Sequence, residues 1–182
     1  MYRLVLATQK RGNITGRGTS RSIRRMPTGD ELRSLMRLYP SGVCVVTADA
    51  NGDRIGVTIG SLVSLSLAPP LVGISVGKNV ALHELLRASG VFGVSILRGD
   101  QAAVASHFAR GIPPIGLWSG IETRIGETGA LLLSDALAWL ECRVWAEYDA
   151  GDHTLFAGEV LALEEGEPAS TLVYREHGYH AV

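Results

Sequence analysis

Three stretches of this 182-residue chain carry side chains whose types and spacing suit chemistry. The first is Thr58-Ile-Gly-Ser-Leu-Val-Ser-Leu-Ser-Leu-Ala-Pro-Pro70. Thr58, Ser61, Ser64 and Ser66 bring hydroxyls to an otherwise apolar segment, and on a regular strand Ser64 and Ser66 share one face. Short hydroxyls beside exposed backbone suit a planar ligand with polar edges. The alternative is a strand whose hydroxyls bond neighbouring backbone. The second stretch, Ser75-Val-Gly-Lys-Asn79, leads into a helix. Glycine permits close approach, Lys78 supplies a cation, and a helix N-terminus attracts phosphate. An ordinary turn with a solvated lysine reads equally well. The third is Gly151-Asp-His153 at the start of a strand. A histidine at such a turn could bind an anionic or planar ligand, or move a proton. The plainer alternative is a surface turn in which Asp152 bonds backbone.

Other chemistries find little support. His83, His107, His177 and His180 lack metal-ligand spacing, and His177-Gly-Tyr-His180 has no third ligand nearby. Ser61 and Ser64 lack a GxSxG elbow. Neither GxGxxG nor GxxxxGK[ST] occurs, which removes the Rossmann and P-loop fingerprints. Cys142 follows Trp139-Leu-Glu in an apolar strand and reads as core rather than nucleophile.

Thr28-Gly-Asp-Glu31 is a capping-box pattern, so a short helix is expected over 29–38. Strands are expected at Val43–Ala48, Arg54–Leu67, Leu71–Val76 and Val91–Leu97. Asn51-Gly52 marks a hairpin turn. Gly60 suggests a bend or bulge, and Ala68-Pro69-Pro70 a turn. Further helices are expected from Ala81 to Ala88, closed by Ser89-Gly90, and from an Asp100 cap through Phe108. Arg110–Gly129 reads as a long loop around Trp118. Strands Ala138–Ala150 and Thr154–Glu164 flank Gly151-Asp152. Leu172–Tyr174 ends the sheet, and Gly178-Tyr179-His180 trails from it. Mostly strands with three short helices imply a mainly β fold, a barrel with helices over its ends.

Composition agrees. Apolar types make up 46% and charged types 19%, enough for one buried core and unlike a disordered chain or coiled coil. No run approaches the roughly 18 apolar residues of a membrane helix. Cys44 and Cys142 are too few for a disulfide framework, so a reduced, cytoplasmic setting is expected. Residues 1–27 hold seven basic side chains and no acid; the remainder holds ten basic and eighteen acidic, a net of −8. The first segment reads as a flexible basic arm, followed by a domain over 28–182. The arm could contact nucleic acid or an acidic partner, act as a transit peptide, or precede a true start at Met26. The last is preferred, because the folded pattern begins directly after Met26. An acidic domain without a basic stripe argues against nucleic acid as a partner.

Taken in order, these pieces resemble the flavin reductase family of FMN-binding split barrels. The resemblance rests on Tyr39-Pro-Ser-Gly-Val-Cys-Val-Val-Thr47, Gly56-Val-Thr58, Ser61, Ser64-Leu-Ser66 and Pro69-Pro70. It continues through Gly93–Leu97, Gln101 to Ala109, Leu132–Cys142, Gly151-Asp-His153, Gly158-Glu-Val160, Leu172-Val-Tyr174 and Gly178-Tyr179. It implies a Greek-key split barrel, assembled as a homodimer, with flavin near the subunit interface. It places Thr58, Ser61, Ser64 and Ser66 along the isoalloxazine and ribityl chain. Lys78 and Asn79 fall at the phosphate turn, Phe108 and Ala109 near the flavin, and His153 at the reduced nicotinamide. The implied cofactor is FMN, or FAD, with NADH or NADPH as co-substrate. The implied activity is hydride transfer to flavin, which a separate monooxygenase then uses; a non-catalytic flavin carrier is the alternative. No side chain need act as acid or base. The family usually has Ser and Thr where this chain has Asn79 and Ala81, and the loop around Trp118 lacks its Lys-Phe pair. A flavin held loosely, as an exchangeable substrate, or in a different pose is the expectation.

Overall fold

The computed structural model describes residues 25–111 and 114–182. The expected arm lies outside the described residues except for its last three. Helix α1 (Gly29–Met36) starts at the expected capping box: Glu31 N donates to Thr28 Oγ1 at 3.2 Å, and Thr28 N donates back to Glu31 Oε2 at 2.7 Å. It ends two residues earlier than expected and buries no residue, leaving Leu32, Leu35 and Met36 exposed.

The strands that follow are β1 (Ser41–Gly42), β2 (Cys44–Ala50), β3 (Asp53–Ile59), β4 (Val63–Leu67) and β5 (Pro70–Gly77). Next come α2 (Ala81–Ser89), β6 (Val91–Ile96), α3 (Ala102–Ala109) and the single turn α4 (Pro114–Leu117). The chain closes with β7 (Thr123–Ile125), β8 (Leu131–Leu133), β9 (Ala138–Ala150), β10 (His153–Glu165), β11 (Leu172–Arg175) and β12 (Gly178–Ala181). Seven strands form one antiparallel sheet in the order β3-β2-β6-β9-β10-β5-β4. Its two edges, β3 and β4, are joined by Gly60–Leu62 alone. Three residues span at most about 10 Å, so the sheet must curl until its edges meet. That makes a barrel with a seam rather than an open sheet.

Several expected elements change. Arg54–Leu67 is two strands, because the chain turns at Gly60. The long loop holds α4 and β7, and β7 pairs with β8. The tail after Leu172 is a hairpin, β11–β12, to which β1 adds a third strand. Asp100 does not cap α3. The cap position belongs to Gln101, and the Asp100 carboxylate pairs with Arg98 at 2.8 Å instead. A bidentate-capable guanidinium two residues away out-competes a weakly placed helix N–H.

Strand β2 is buried on both faces, which is why it reads as an unbroken β-branched run. Val46, Ile74, Phe92, Cys142 and Phe156 fill the barrel with Leu82 and Leu86 of α2. Val43, Val45, Leu97 and Leu172 pack outside it against Ala105 and Phe108 of α3. Thus α2 plugs the barrel and α3 clads it. Burial pushes the thiols of Cys44 and Cys142 up to about 12, so both are inert core groups.

Glu141 is 5% exposed and holds the turn between β7 and β8. Its carboxylate accepts from Glu127 N at 2.8 Å, Thr128 N at 2.7 Å and the Thr128 hydroxyl. Burial raises its pKa, but these bonds and the charge of Arg124 prevail and hold it below the ordinary range. A carboxyl held lower in the folded than in the unfolded state stabilises fully above its unfolded pKa. That contribution is lost as pH falls through the folded value. Glu141→Gln is expected to cost about 1–3 kcal/mol at neutral pH and to flatten the loss of stability on acidification. Urea unfolding at about pH 7 and at about pH 4, on either side of the ordinary glutamate pKa, measures both.

Candidate active site

The seam of the barrel positions the first group of residues. Ser61 lies between β3 and β4, where no strand pairing is possible. Its hydroxyl donates to Ser75 O at 3.1 Å and accepts from Ser75 N at 3.0 Å, replacing a strand neighbour for β5. Thr58 Oγ1 donates to Ala105 O at 2.7 Å and ties β3 to α3. Ser66 Oγ accepts from Ala68 N at 3.2 Å and tightens the turn into β5. Three of the four hydroxyls are therefore bonded to backbone. Ser64 is exposed on the edge strand. Ser64 pairs with Val72 but Ser66 pairs with Leu71, so a bulge lies between them. The bulge shifts the alternation by one residue and puts Ser64 and Ser66 on opposite faces, not on one.

Helix α3 brings Phe108 and Ala109 to the same end. The Phe108 ring is 3% exposed and packs against Trp118, with centroids 5.4 Å apart. A Cβ on Gly56 would stand 2.6 Å from that ring, so only glycine allows α3 this close to β3. Ala109 lines an open cavity of about 240 Å³ with Ser41, Thr58, Gly60, Tyr174 and Tyr179. The two tyrosine rings meet edge on, 5.3 Å between centroids. Ser41, Tyr174 and Tyr179 were not singled out from sequence as lining residues. Only the β1–β11–β12 sheet carries them there.

The second group gathers where β5 ends. Gly77 pairs with His153, the first residue of β10. A Cβ at Gly77 would lie 3.1 Å from Asn79 Oδ1 and 3.7 Å from His153 Nε2. Glycine thus leaves a small cradle rimmed by an amide and an imidazole. Asp152 Oδ1 lies 2.8 Å from His153 Nδ1. A carboxylate only accepts, so Nδ1 carries the proton and Nε2 faces the cradle. The bond to His153, reinforced by its charge, holds the Asp152 carboxyl below its usual range. Gly151, at φ +72°, makes the turn that presents this pair. Helix α2 begins beside the cradle at Val80 with no side-chain cap; Val80 N and His83 N donate to backbone carbonyls, which leaves the first turn's Ala81 and Leu82 N–H groups for an anion.

Lys78 goes to the other side. Its N–H is held by Asp152 O at 3.0 Å, while its ammonium meets Asp149 Oδ1 at 2.7 Å. That pair lines a groove of about 470 Å³ between α2 and the β9–β10 hairpin. In the groove His83 is buried, with Nε2 2.8 Å from Thr154 Oγ1 and Nδ1 2.9 Å from Glu84 Oε1. Glu84 fixes the tautomer as Nδ1–H, so Thr154 donates to Nε2. This bond joins α2 to the start of β10. The structure therefore brings Asn79 and His153 together, sets Ser61 two residues along β5 from Gly77, and leaves Lys78 engaged elsewhere.

The fit to a flavin nucleotide follows from these observations. The cradle at Gly77 and the uncapped start of α2 suit a phosphate. Backbone at Ile59 and Gly60 borders a cavity walled by aromatic rings. Comparison with known proteins is decisive on kinship: a flavin reductase like domain matches residues 36–182. The chain belongs to the flavin reductase-like family. An NADH-dependent FMN reductase of Streptomyces nodosus subsp. asukaensis is 38% identical over 173 residues, 92% of this chain and 89% of its own. The reductase component of 4-hydroxyphenylacetate 3-monooxygenase from Thermus thermophilus is 38% identical over 150 residues, 82% of this chain and 94% of its own. The solved NADH:FAD oxidoreductase of Streptomyces globisporus, in complex with NAD and FAD fragments, gives a TM-score of 0.77 at 35% identity, covering 83% of this chain and 90% of that one.

The Ser61 hydroxyl is the only side-chain partner of the Ser75 backbone among the described residues. Ser61→Ala removes both bonds and leaves Ser75 N–H and C=O without partners. A loss of about 1–3 kcal/mol is expected, measured by chemical denaturation. Ser61→Thr should restore most of it.

Proposed function

We propose that the protein is an NADH:flavin oxidoreductase that reduces FMN or FAD and releases reduced flavin to a separate monooxygenase. The observation that carries this reading is the cradle at Gly77, where Asn79, His153 and the start of α2 converge in a flavin reductase-like fold. Bound flavin would supply the reactivity, accepting a hydride from NADH, with a proton from solvent completing the two-electron reduction. The chain's own residues bind and orient. Asn79 and the α2 N-terminus hold the phosphate, with Lys78 as the mobile cation. Backbone at Ile59–Ser61, flanked by Thr58 and Ala109, takes the ring edge. Ser66, whose partner Leu71 shares the Gly77 face of β5, borders the ribityl side from the edge strand, Ser64 contributes backbone from the opposite face, and Phe108 supports that wall from beneath. His153 Nε2 contacts the nicotinamide. Positioning two rings face to face converts a bimolecular encounter into an oriented one, and no acid–base group is required.

The same reading makes the protein a cytoplasmic homodimer. Val63, Leu65 and Leu67 on edge strand β4, with Trp145, Leu161 and Leu163 on the β9–β10 hairpin, are exposed. An apolar edge strand beside an apolar sheet face fits burial against a second copy. Two unpaired, buried thiols fit a reducing compartment. Among the described residues no helix is long and apolar enough to cross a membrane.

Mixing the purified protein with NADH, with and without FMN, and following absorbance of the reduced nicotinamide tests the activity. Oxidation that depends on added flavin is expected; its absence would overturn the reading. His153→Ala should raise the KM for NADH about tenfold, equivalent to about 1.4 kcal/mol, while flavin affinity stays nearly unchanged. Loss of flavin binding with no nicotinamide effect would remove His153 from that role. For the assembly, light scattering should give a dimer mass, and Leu65→Glu, placing a charge on the apolar edge, should shift it to monomer.

A further inference from the structure

The groove behind Lys78 holds an arrangement that the reductase reading leaves unused. Lys78 follows Gly77 directly, and its backbone is pinned to the hairpin turn through Asp152 O. Lys78 stands in the turn beyond β5, and its ammonium lies in the groove beside α2 rather than in the cradle. Asp149 sits opposite Thr154 in the β9–β10 register and reaches the ammonium from the far side of the groove. Two cations and three carboxylates line this groove. Arg87 is already held by Glu147 at 2.7 Å and by Glu84 at 3.4 Å. Lys78 is therefore the cation left for Asp149.

We propose that Asp149 is an internal competitor for the flavin phosphate, holding the Lys78 ammonium in the groove and so setting how tightly flavin is bound. The proposal rests on the reading of Lys78 as a phosphate ligand. Asp149 and Lys78 are 79% and 41% exposed, so their bond is exchangeable rather than structural. A lysine stem carries four rotatable carbons and three equivalent donors, and can swing from a carboxylate to a phosphate without backbone movement. A phosphate monoester bears about −1.5 to −2 charges at neutral pH and displaces a single carboxylate. Breaking the pair is then part of binding, and the displaced carboxylate stays nearby as a like charge. Both effects favour release. A flavin that must leave with its electrons requires such weakening, whereas a permanently held cofactor does not.

The pair's exposure limits the effect to a few-fold. Asp149→Asn frees Lys78 and removes the like charge while keeping the side chain's shape. It should lower the Kd for FMN about three- to fivefold and leave riboflavin, which has no phosphate, nearly unchanged. The gain should shrink at high salt. Fluorescence titration of the purified protein with FMN and with riboflavin reads this without catalysis. Lys78→Ala should weaken FMN at least tenfold more than riboflavin. In the Lys78→Ala background, Asp149→Asn should lose most of its benefit, as a double-mutant cycle demands of residues acting on each other. If Lys78→Ala is selective for FMN but Asp149→Asn leaves FMN affinity unchanged or weaker, competition is overturned and the phosphate role of Lys78 stands. If Lys78→Ala weakens FMN and riboflavin equally, the phosphate role itself is overturned, and the competition with it.

Discussion

Between Ile59 and Val63 the chain must cross from one edge of a seven-stranded sheet to the other in three residues. Neither edge has a strand to pair with at that point. The Ser61 hydroxyl, bonded to both backbone groups of Ser75, takes the place of the missing neighbour. Everything at the candidate site is referred to that junction. It fixes where β3 ends, and so where Thr58 reaches Ala105 and seats α3. It also fixes β5 two residues before Gly77, and so the position of the cradle against His153.

The charges then divide about the end of β5. On one side lie the cradle, Asn79 and His153, with the proton of His153 assigned by Asp152. On the other lies the α2 groove, where Lys78 and Arg87 meet Asp149, Glu147 and Glu84. The divider is the end of β5: Gly77, its last residue, leaves the cradle open, while Lys78 in the turn beyond sends its ammonium to the groove. His83 and Thr154 bridge the groove and keep the start of α2 in step with the start of β10. An anion at the helix start and a ring against His153 would both be placed by this one frame.

No acid–base dyad or metal-ligand pattern is visible in the sequence. A hydride transfer between two planar cofactors explains that economy, because its requirements are geometric. Backbone groups, a glycine and the start of a helix can meet them. Apolar side chains left exposed on β4 and the long hairpin are a different kind of signal. They form an exposed apolar surface along one edge of the barrel.

How much was legible depended on the range of the interactions. The capping box of α1, the Asn51-Gly52 and Gly151-Asp152 turns, the β-branched run of β2 and the Ser89-Gly90 close of α2 all follow from contacts within a few residues. They could be read directly. The residues of the cradle, Asn79 and His153, were also visible as types in a turn. Their meeting over Gly77 was not, because it depends on β5 pairing with β10 across more than seventy residues of chain. Two local features nevertheless differ from their expectation: Asp100 reads as a cap although Arg98, two residues away, takes its carboxylate, and Ser64 and Ser66 read as sharing one face because a bulge leaves no mark in the strand that carries it. Asp149 carried no signal at all, since nothing local distinguishes it from any surface acid; only the register of the hairpin sets it against Lys78. By itself the sequence determined most of the helices and strands and the family. Tertiary structure alone decided which face each polar group occupies, because cross-strand register, unlike helix capping or turn formation, is a property of distant segments together.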